Sequence, residues 1–108
     1  MSCCHGLWQK GSKTANTKET TMEQLPIEKF KNIETPFYYY DTNLLRETLS
    51  TICHETSEHE GYCVHYAVKA NANPKVLKIV ASYGLGADCV SGNEVRAALE
   101  AGFPASKI

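Results

Sequence analysis

The feature that most constrains the fold of this chain is the alternation of strand-like and helix-like segments over its second half. Tyr62–Val68 is rich in β-branched and aromatic residues, and Gly86–Val90 forms a second run of this kind. Between and after these runs, apolar residues recur at the 3.6-residue spacing of a helix. Strands that alternate with helices of about ten residues predict βαβ units with a parallel sheet. We therefore expect an α/β fold.

Capping residues predict where the helices begin and end. Asp, Ser and Asn side chains bind the free N–H groups of a first helical turn, proline fits that turn, and glycine ends a helix in the left-handed conformation. A Ser followed three residues later by Glu is the capping-box pattern. The predicted limits are Asp41 or Thr42 to Gly61, Asn73–Pro74 to Gly84, and Ser91–Glu94 to Gly102–Pro104.

The chain divides into three parts by composition. Residues 1–21 are mostly polar, without apolar periodicity, and predict a disordered leader that lacks the apolar core of a signal peptide. Met22 is a candidate translation start. Residues 22–40 lead into the domain, and their aromatic run Pro36–Tyr40 predicts a strand. Residues 41–108 form the domain itself, in which Lys107–Ile108 is typical of the opening of a further strand.

Charge and hydropathy exclude two classes of partner. The chain has 11 Lys and Arg residues against 12 Asp and Glu residues, a net charge of −1, so it lacks the basic field that holds a nucleic-acid backbone. Its apolar runs are only a few residues long, whereas crossing a bilayer takes about 20. We therefore expect neither a nucleic acid nor a membrane as a partner.

The five cysteines are an odd number without a C-x-x-C pair, which favours free thiols in a reducing cytoplasm over a disulfide scaffold. Cys63 and Cys89 lie in strand-like runs, where buried thiols are common. Cys3–His5 could bind a metal, but no second ligand pair follows at a zinc-like spacing, so we expect no metal site. His65 is interpreted as a packed or hydrogen-bonded strand residue.

Lys69 is the first candidate functional residue, because it follows a predicted strand in a βα unit. In barrels, the residues at that position face the mouth of the active site. A desolvated lysine is a nucleophile for aldehydes and forms Schiff bases. The alternative is that Lys69 is only the polar end of a strand, and the residues alone leave both interpretations open. Alternation with period 2 places Cys63, His65, Ala67 and Lys69 on one face, and Tyr62, Val64, Tyr66 and Val68 on the face expected to contact helices.

Asp88 is the second candidate, since a carboxylate is disfavoured inside a strand. Gly84 and Gly86 precede it and permit close approach of the backbone. Asp88 could balance a cationic Lys69 or a protonated cofactor imine, or it could lie at a strand edge in solvent. The capping box accounts for Glu94. Asn71 and Asn73 could contact a ligand, but turn formation and helix capping also explain both.

The segment that begins at Tyr66, YAVKANANPKVLKIVASYGLGADCVSGNEVRAALEAGFPASKI, resembles the start of the barrel in diaminopimelate decarboxylases. These are pyridoxal phosphate-dependent group III decarboxylases with an alanine-racemase-like fold. The joint pattern Y-A-V-K-A-N, G-x-G-A-D-x-V-S-G-x-E and A-L-x-A-G-x-P-x-x-x-I carries the resemblance, which extends from about Ile27 to Ile108. Within the group, K-A-N rather than K-C-N favours diaminopimelate over ornithine as the substrate.

The resemblance implies a (β/α)8 TIM barrel, of which this chain supplies the first two or three βα units, and pyridoxal phosphate as the cofactor. Lys69 matches the lysine that forms a Schiff base with the cofactor, and Asp88 matches a carboxylate close to it. Ala67 lies in the strand that forms the pocket floor, and Glu94 matches a polar residue near the site. A cytoplasmic homodimer is also implied.

The activity implied by the resemblance is decarboxylation of the small-molecule amino acid meso-diaminopimelate to L-lysine. The alternatives are a related decarboxylase of ornithine, arginine or carboxynorspermidine, and a non-catalytic module that binds pyridoxal phosphate or a partner chain. The family's phosphate loop, arginine motif and substrate-site cysteine lie further along its chains. Because a complete barrel takes roughly 200–250 residues, we expect this chain to be a truncated product or fragment that is inactive alone.

Overall fold

The computed structural model describes residues 25–108, which fall into two compact units, residues 25–40 and residues 41–108. The predicted leader and the candidate start at Met22 lie outside the described residues. None of the helices in the described part is long and apolar enough to cross a membrane. The helices are α1 (Ile27–Phe30), α2 (Thr42–Ser57), α3 (Pro74–Ser82) and α4 (Gly92–Ala101), the strands are β1 (His65–Ala67) and β2 (Gly86–Asp88), and the 3₁₀ turns are Val68–Ala70 and Ala105–Lys107.

The first unit contains α1 and a group of aromatic contacts instead of the predicted strand. The Phe30 ring lies 5.3 Å from the Phe37 ring and 5.1 Å from the Tyr39 ring, measured between centroids. Pro36–Tyr40 forms no strand and pairs with no other segment of the described chain, so that prediction is wrong. Aromatic residues favour strands only where a neighbouring strand gives their rings a surface, and here the rings contact one another.

The second unit contains a two-stranded parallel sheet, as the alternating pattern predicts. Helix α3 connects β1 to β2, because a parallel pair requires a crossover connection. The pairing joins His65 to Gly86, Tyr66 to Ala87 and Ala67 to Asp88. Each strand is three residues long, shorter than predicted, since only the paired residues form a ladder. The element order and this pairing confirm an α/β fold.

Side-chain caps begin the helices where the sequence predicts them. A carboxylate oxygen of Asp41 accepts hydrogen bonds from the backbone N–H groups of Asn43 and Leu44 at 2.9 and 3.0 Å. The side-chain oxygen of Asn73 accepts one from the N–H group of Lys75 at 2.9 Å. These N–H groups have no partner within the helix, so the caps stabilise the first turns.

Glycine ends α3 and α4 as predicted, whereas the end of the chain differs from its prediction. Gly84 and Gly102 have φ angles of 80° and 99°, a left-handed conformation that glycine adopts without strain. Lys107–Ile108 does not open a strand. The Lys107 N–H group donates to the Pro104 carbonyl at 2.9 Å and closes a 3₁₀ turn. Its amine donates to the Gly84 carbonyl at 2.8 Å, which fixes the turn against the segment before β2.

The core lies on the helix side of the sheet. Val68, Leu77, Val80 and Ala98 are completely buried, at 0% exposure. Val64 and Tyr66 pack against this core, which confirms that this face of the predicted strand contacts helices. Tyr62 belongs to the same alternation but is exposed, because it precedes the paired part of β1.

Truncation of Leu77 is expected to destabilise the fold. Leu77→Ala should lower the free energy of unfolding by about 2–5 kcal/mol, since it removes buried methyl groups and leaves a cavity. Leu99→Ala is the matched control, because Leu99 is 48% exposed, and its effect should be about 0.5 kcal/mol. Urea denaturation followed by circular dichroism measures both, and equal losses would contradict this description of the core.

Candidate functional site

The candidate site lies on the face of the sheet that the helices leave open. Opposed residues of parallel strands point to the same side, so Ala67 and Asp88 share this face with the pair His65 and Gly86. Asp88 is exposed there, whereas Ala87 on the opposite face is 2% exposed. An open cleft of about 510 Å³ adjoins this region and is lined by His65, Ala87, Asp88, Cys89, Val95 and Ile108.

Lys69 lies in the 3₁₀ turn Val68–Ala70 that directly follows β1. Val68 points into the core and Lys69 is exposed. The structure therefore places the lysine at the carboxyl end of the strand, as the sequence predicts. Because Lys69 is exposed, the described residues do not supply the desolvation invoked for a reactive lysine.

The register brings the three predicted site residues to one end of the sheet. Ala67 is opposite Asp88, and Lys69 follows Ala67 by two residues. Asp88 lines the cleft, whereas Ala67 and Lys69 do not.

His65 and Gly86 form a close contact on the same face. A Cβ atom on residue 86 would overlap the His65 ring, so glycine is required for the ring to lie there. His65 is exposed, and the packing predicted for it is limited to the contact of its ring with Gly86. The spacing of two and four residues from Ala67 and Lys69 predicts that it shares their face, and in the structure His65 also lines the cleft.

Glu94 takes part in capping α4 as predicted, except that its carboxylate accepts from a different backbone N–H group. The Ser91 hydroxyl accepts a hydrogen bond from the Glu94 N–H group at 3.3 Å. The Glu94 carboxylate accepts one from the N–H group of Val90 at 2.8 Å, instead of the Ser91 N–H group of a standard capping box. This bond fixes the loop between β2 and α4, next to Asp88 and Cys89.

The described cysteines differ from the prediction of buried free thiols in their burial and, at Cys63, in a disulfide. Cys53 and Cys89 are half-buried thiols, which confirms the thiol form but not full burial, and the Cys53 thiol donates to the Tyr83 carbonyl at 3.4 Å. Cys63 is exposed and disulfide-bonded, so the free thiol predicted there is wrong. The physical reason is alternation: Cys63 lies on the same face as His65, away from the helices that would bury it.

No group of three or more His, Cys, Asp or Glu side chains within residues 25–108 is arranged to hold a metal ion. The Cys3–His5 cluster considered from the sequence lies outside the described residues.

The environment of Cys89 disfavours its thiolate. Burial raises the pKa of the Cys89 thiol above its usual value, and the carboxylates of Glu94 and Asp88 raise it further. Because the thiolate is the reactive form, alkylation of Cys89 near neutral pH should be slower than that of an ordinary thiol.

The charge contribution to Cys89 reactivity is testable with Glu94→Gln. This change removes the negative charge but keeps an oxygen that can accept from Val90, so the pKa of Cys89 should fall and its alkylation by iodoacetamide should become severalfold faster. Mass mapping of alkylated peptides over a pH series measures the rate. Glu100→Gln, on the exposed side of the same helix, is the control, and equal rates in the two variants would contradict the assignment.

The contact between His65 and Gly86 predicts compensation between two substitutions. Gly86→Ala should lower the free energy of unfolding by about 1–3 kcal/mol, because the new methyl group overlaps the His65 ring. In a His65→Ala background the same change should cost much less. Denaturation curves of the four proteins measure the difference, and additive losses would show that the contact does not set the cost.

Comparison with known proteins identifies the family to which the chain is similar. The family described as "pyridoxal-dependent decarboxylase, pyridoxal binding domain" matches residues 45–108. A diaminopimelate decarboxylase of Bacteroides thetaiotaomicron is 65% identical over 83 residues, which cover 77% of this chain and 22% of that protein. One from Helicobacter pylori is 38% identical over 75% of this chain and 20% of that protein. A probable chloroplastic one from Oryza sativa is 45% identical over 64% of this chain and 14% of that protein.

The chain belongs to the pyridoxal-dependent decarboxylase family, since the match covers more than half of its residues. It spans about a fifth of the length of the Bacteroides and Helicobacter relatives. The matched segment is named for pyridoxal binding and includes the candidate site.

The residues of the open face fit pyridoxal phosphate. The primary amine of Lys69 is exposed and can bond an aldehyde carbon. The Asp88 carboxylate is exposed at the same end of the sheet and can pair with a cationic nitrogen. Ala67, which is paired with Asp88 and precedes Lys69 by two residues, has only a methyl side chain.

Proposed function

We propose that this chain is the amino-terminal part of a diaminopimelate decarboxylase, which releases CO₂ from meso-diaminopimelate and forms L-lysine. The position of Lys69 at the carboxyl end of β1, beside the pair Ala67 and Asp88, carries the proposal. The 65% identity to a protein of that name supports the choice of substrate. The relatives given above all carry this name. They therefore do not favour a decarboxylase of ornithine, arginine or carboxynorspermidine, or a non-catalytic module.

Each residue of the site has a defined part in this proposal. When bound, pyridoxal phosphate supplies an electron sink for the bond that loses CO₂. The Lys69 Nζ atom binds the group at its aldehyde and, once released, holds a proton that the product requires. The Asp88 carboxylate balances positive charge near that nitrogen and orients it. Glu94 keeps the loop after Asp88 in place through its bond to the Val90 N–H group.

We also propose the complete barrel that the resemblance implies. We expect β1 and β2 to be the first strands of a (β/α)8 barrel, because their pairing is parallel and α3 crosses between them. The open face then becomes part of the barrel interior, where further strands desolvate Lys69. A homodimer and a cytoplasmic location are proposed from the resemblance to the family.

Activity of the full-length protein tests the proposal. With pyridoxal phosphate, it should convert meso-diaminopimelate to L-lysine and CO₂, and should be much less active with ornithine or arginine. Lys69→Ala should lower the rate at least about 100-fold, because the amine that binds the cofactor and holds the proton is lost. Chromatographic assay of L-lysine measures the rate.

Lys78→Ala is the matched control for this experiment, since Lys78 is an exposed lysine of α3 in the same unit. Its activity should equal that of the unmodified protein. Preference for ornithine or arginine would assign another substrate, and full activity of Lys69→Ala would refute the role given to that lysine.

A further inference from the structure

The turn that carries Lys69 is bridged by a hydrogen bond. After the 3₁₀ turn Val68–Ala70, the chain becomes extended at Asn71, with φ −163° and ψ 109°. The Tyr66 hydroxyl donates to the Asn71 carbonyl at 3.1 Å. This bond joins the side chain of a β1 residue to the backbone of the residue that follows the turn. The segment that contains Lys69 is therefore held at both ends.

The carbonyl that Tyr66 binds belongs to a residue that is itself fixed. The side-chain oxygen of Asn71 accepts a hydrogen bond from the Asn73 N–H group at 2.9 Å. Asn73 in turn caps α3 through the N–H group of Lys75 at 2.9 Å. The Tyr66 bond therefore connects the end of β1 to the start of α3, across the turn that holds the lysine.

The Tyr66 ring lies on the opposite side of the sheet from the candidate site. Tyr66 is paired with Ala87, which is 2% exposed, and packs against the core. Asp88 and Ala67 occupy the other face. Tyr66 therefore acts through the backbone of the turn and not by contact with a substrate.

We infer that Tyr66 is a positioning residue, whose hydroxyl holds the Lys69 turn in the conformation that presents the amine for attachment of pyridoxal phosphate. The inference rests on the proposed function. Burial of Val68 anchors the turn from the core side, and the pairing of Ala67 with Asp88 anchors its beginning. The Tyr66 bond supplies the third restraint, at its end.

Loss of one hydrogen bond sets the size of the expected effect. Without the hydroxyl, the turn samples conformations in which the amine is misplaced, and attachment must select the correct one. The dissociation constant for pyridoxal phosphate should rise about fivefold, which corresponds to the roughly 1 kcal/mol of an ordinary hydrogen bond.

The experiment compares Tyr66→Phe with Tyr83→Phe in the full-length protein. Both changes remove only a hydroxyl. Tyr83 also packs against the core, but its hydroxyl makes no hydrogen bond among the described residues. Absorbance titration of the apoprotein with pyridoxal phosphate gives the dissociation constant. Tyr66→Phe should show the fivefold rise, and Tyr83→Phe should equal the unmodified protein. Equal values for the two variants would overturn the inference.

A Lys69→Ala background separates positioning from general structural support. If Tyr66 acts through Lys69, Tyr66→Phe should not weaken non-covalent pyridoxal phosphate binding further in this background. A rise of the same size with and without Lys69 would assign Tyr66 a merely structural role and overturn the inference. If the unmodified protein does not attach pyridoxal phosphate at all, the proposed function fails as well, which is a different result.

Discussion

The parallel pairing of β1 with β2 is the interaction on which the rest of the structure depends. Its register places Ala67 opposite Asp88, which brings the turn that carries Lys69 to the end of the sheet that carries the carboxylate. The same register directs Tyr66 and Ala87 to the helices and leaves the other face open. A slip of one residue would exchange the two faces, so the core and the site are fixed by one set of hydrogen bonds.

Features determined by nearby residues could be predicted from the sequence. The caps Asp41 and Asn73 and the end at Gly84 depend on contacts within a few residues, and all three occur as predicted. The strands predicted at Pro36–Tyr40 and Lys107–Ile108 do not form, because a strand requires a second segment to pair with. Nothing in the local pattern shows whether that segment is present.

The candidate site also combines features set by nearby residues, which were predictable, with contacts between distant residues, which were not. Lys69 and Asp88 were predicted from local properties, a lysine at a strand end and a carboxylate inside a strand, whereas Ala67 was predicted only from the family resemblance. The contact of His65 with Gly86, the bond from Val90 to Glu94 and the bond from Tyr66 to Asn71 depend on the conformation of the backbone, so the sequence did not show them. The family resemblance indicates the cofactor and the reaction, and the structure shows the hydrogen bonds that restrain the turn of Lys69 and the loop after Asp88.

The most direct test of the central claim is the site at which pyridoxal phosphate attaches to the full-length protein. Reduction of the native complex with borohydride makes the attachment permanent, and proteolysis with mass spectrometry then identifies the modified lysine. We predict that the peptide containing Lys69 is the main one modified, and that this selectivity among the lysines is lost when the protein is denatured before the cofactor is added. Modification of Lys75 or Lys78 in place of Lys69 would contradict it.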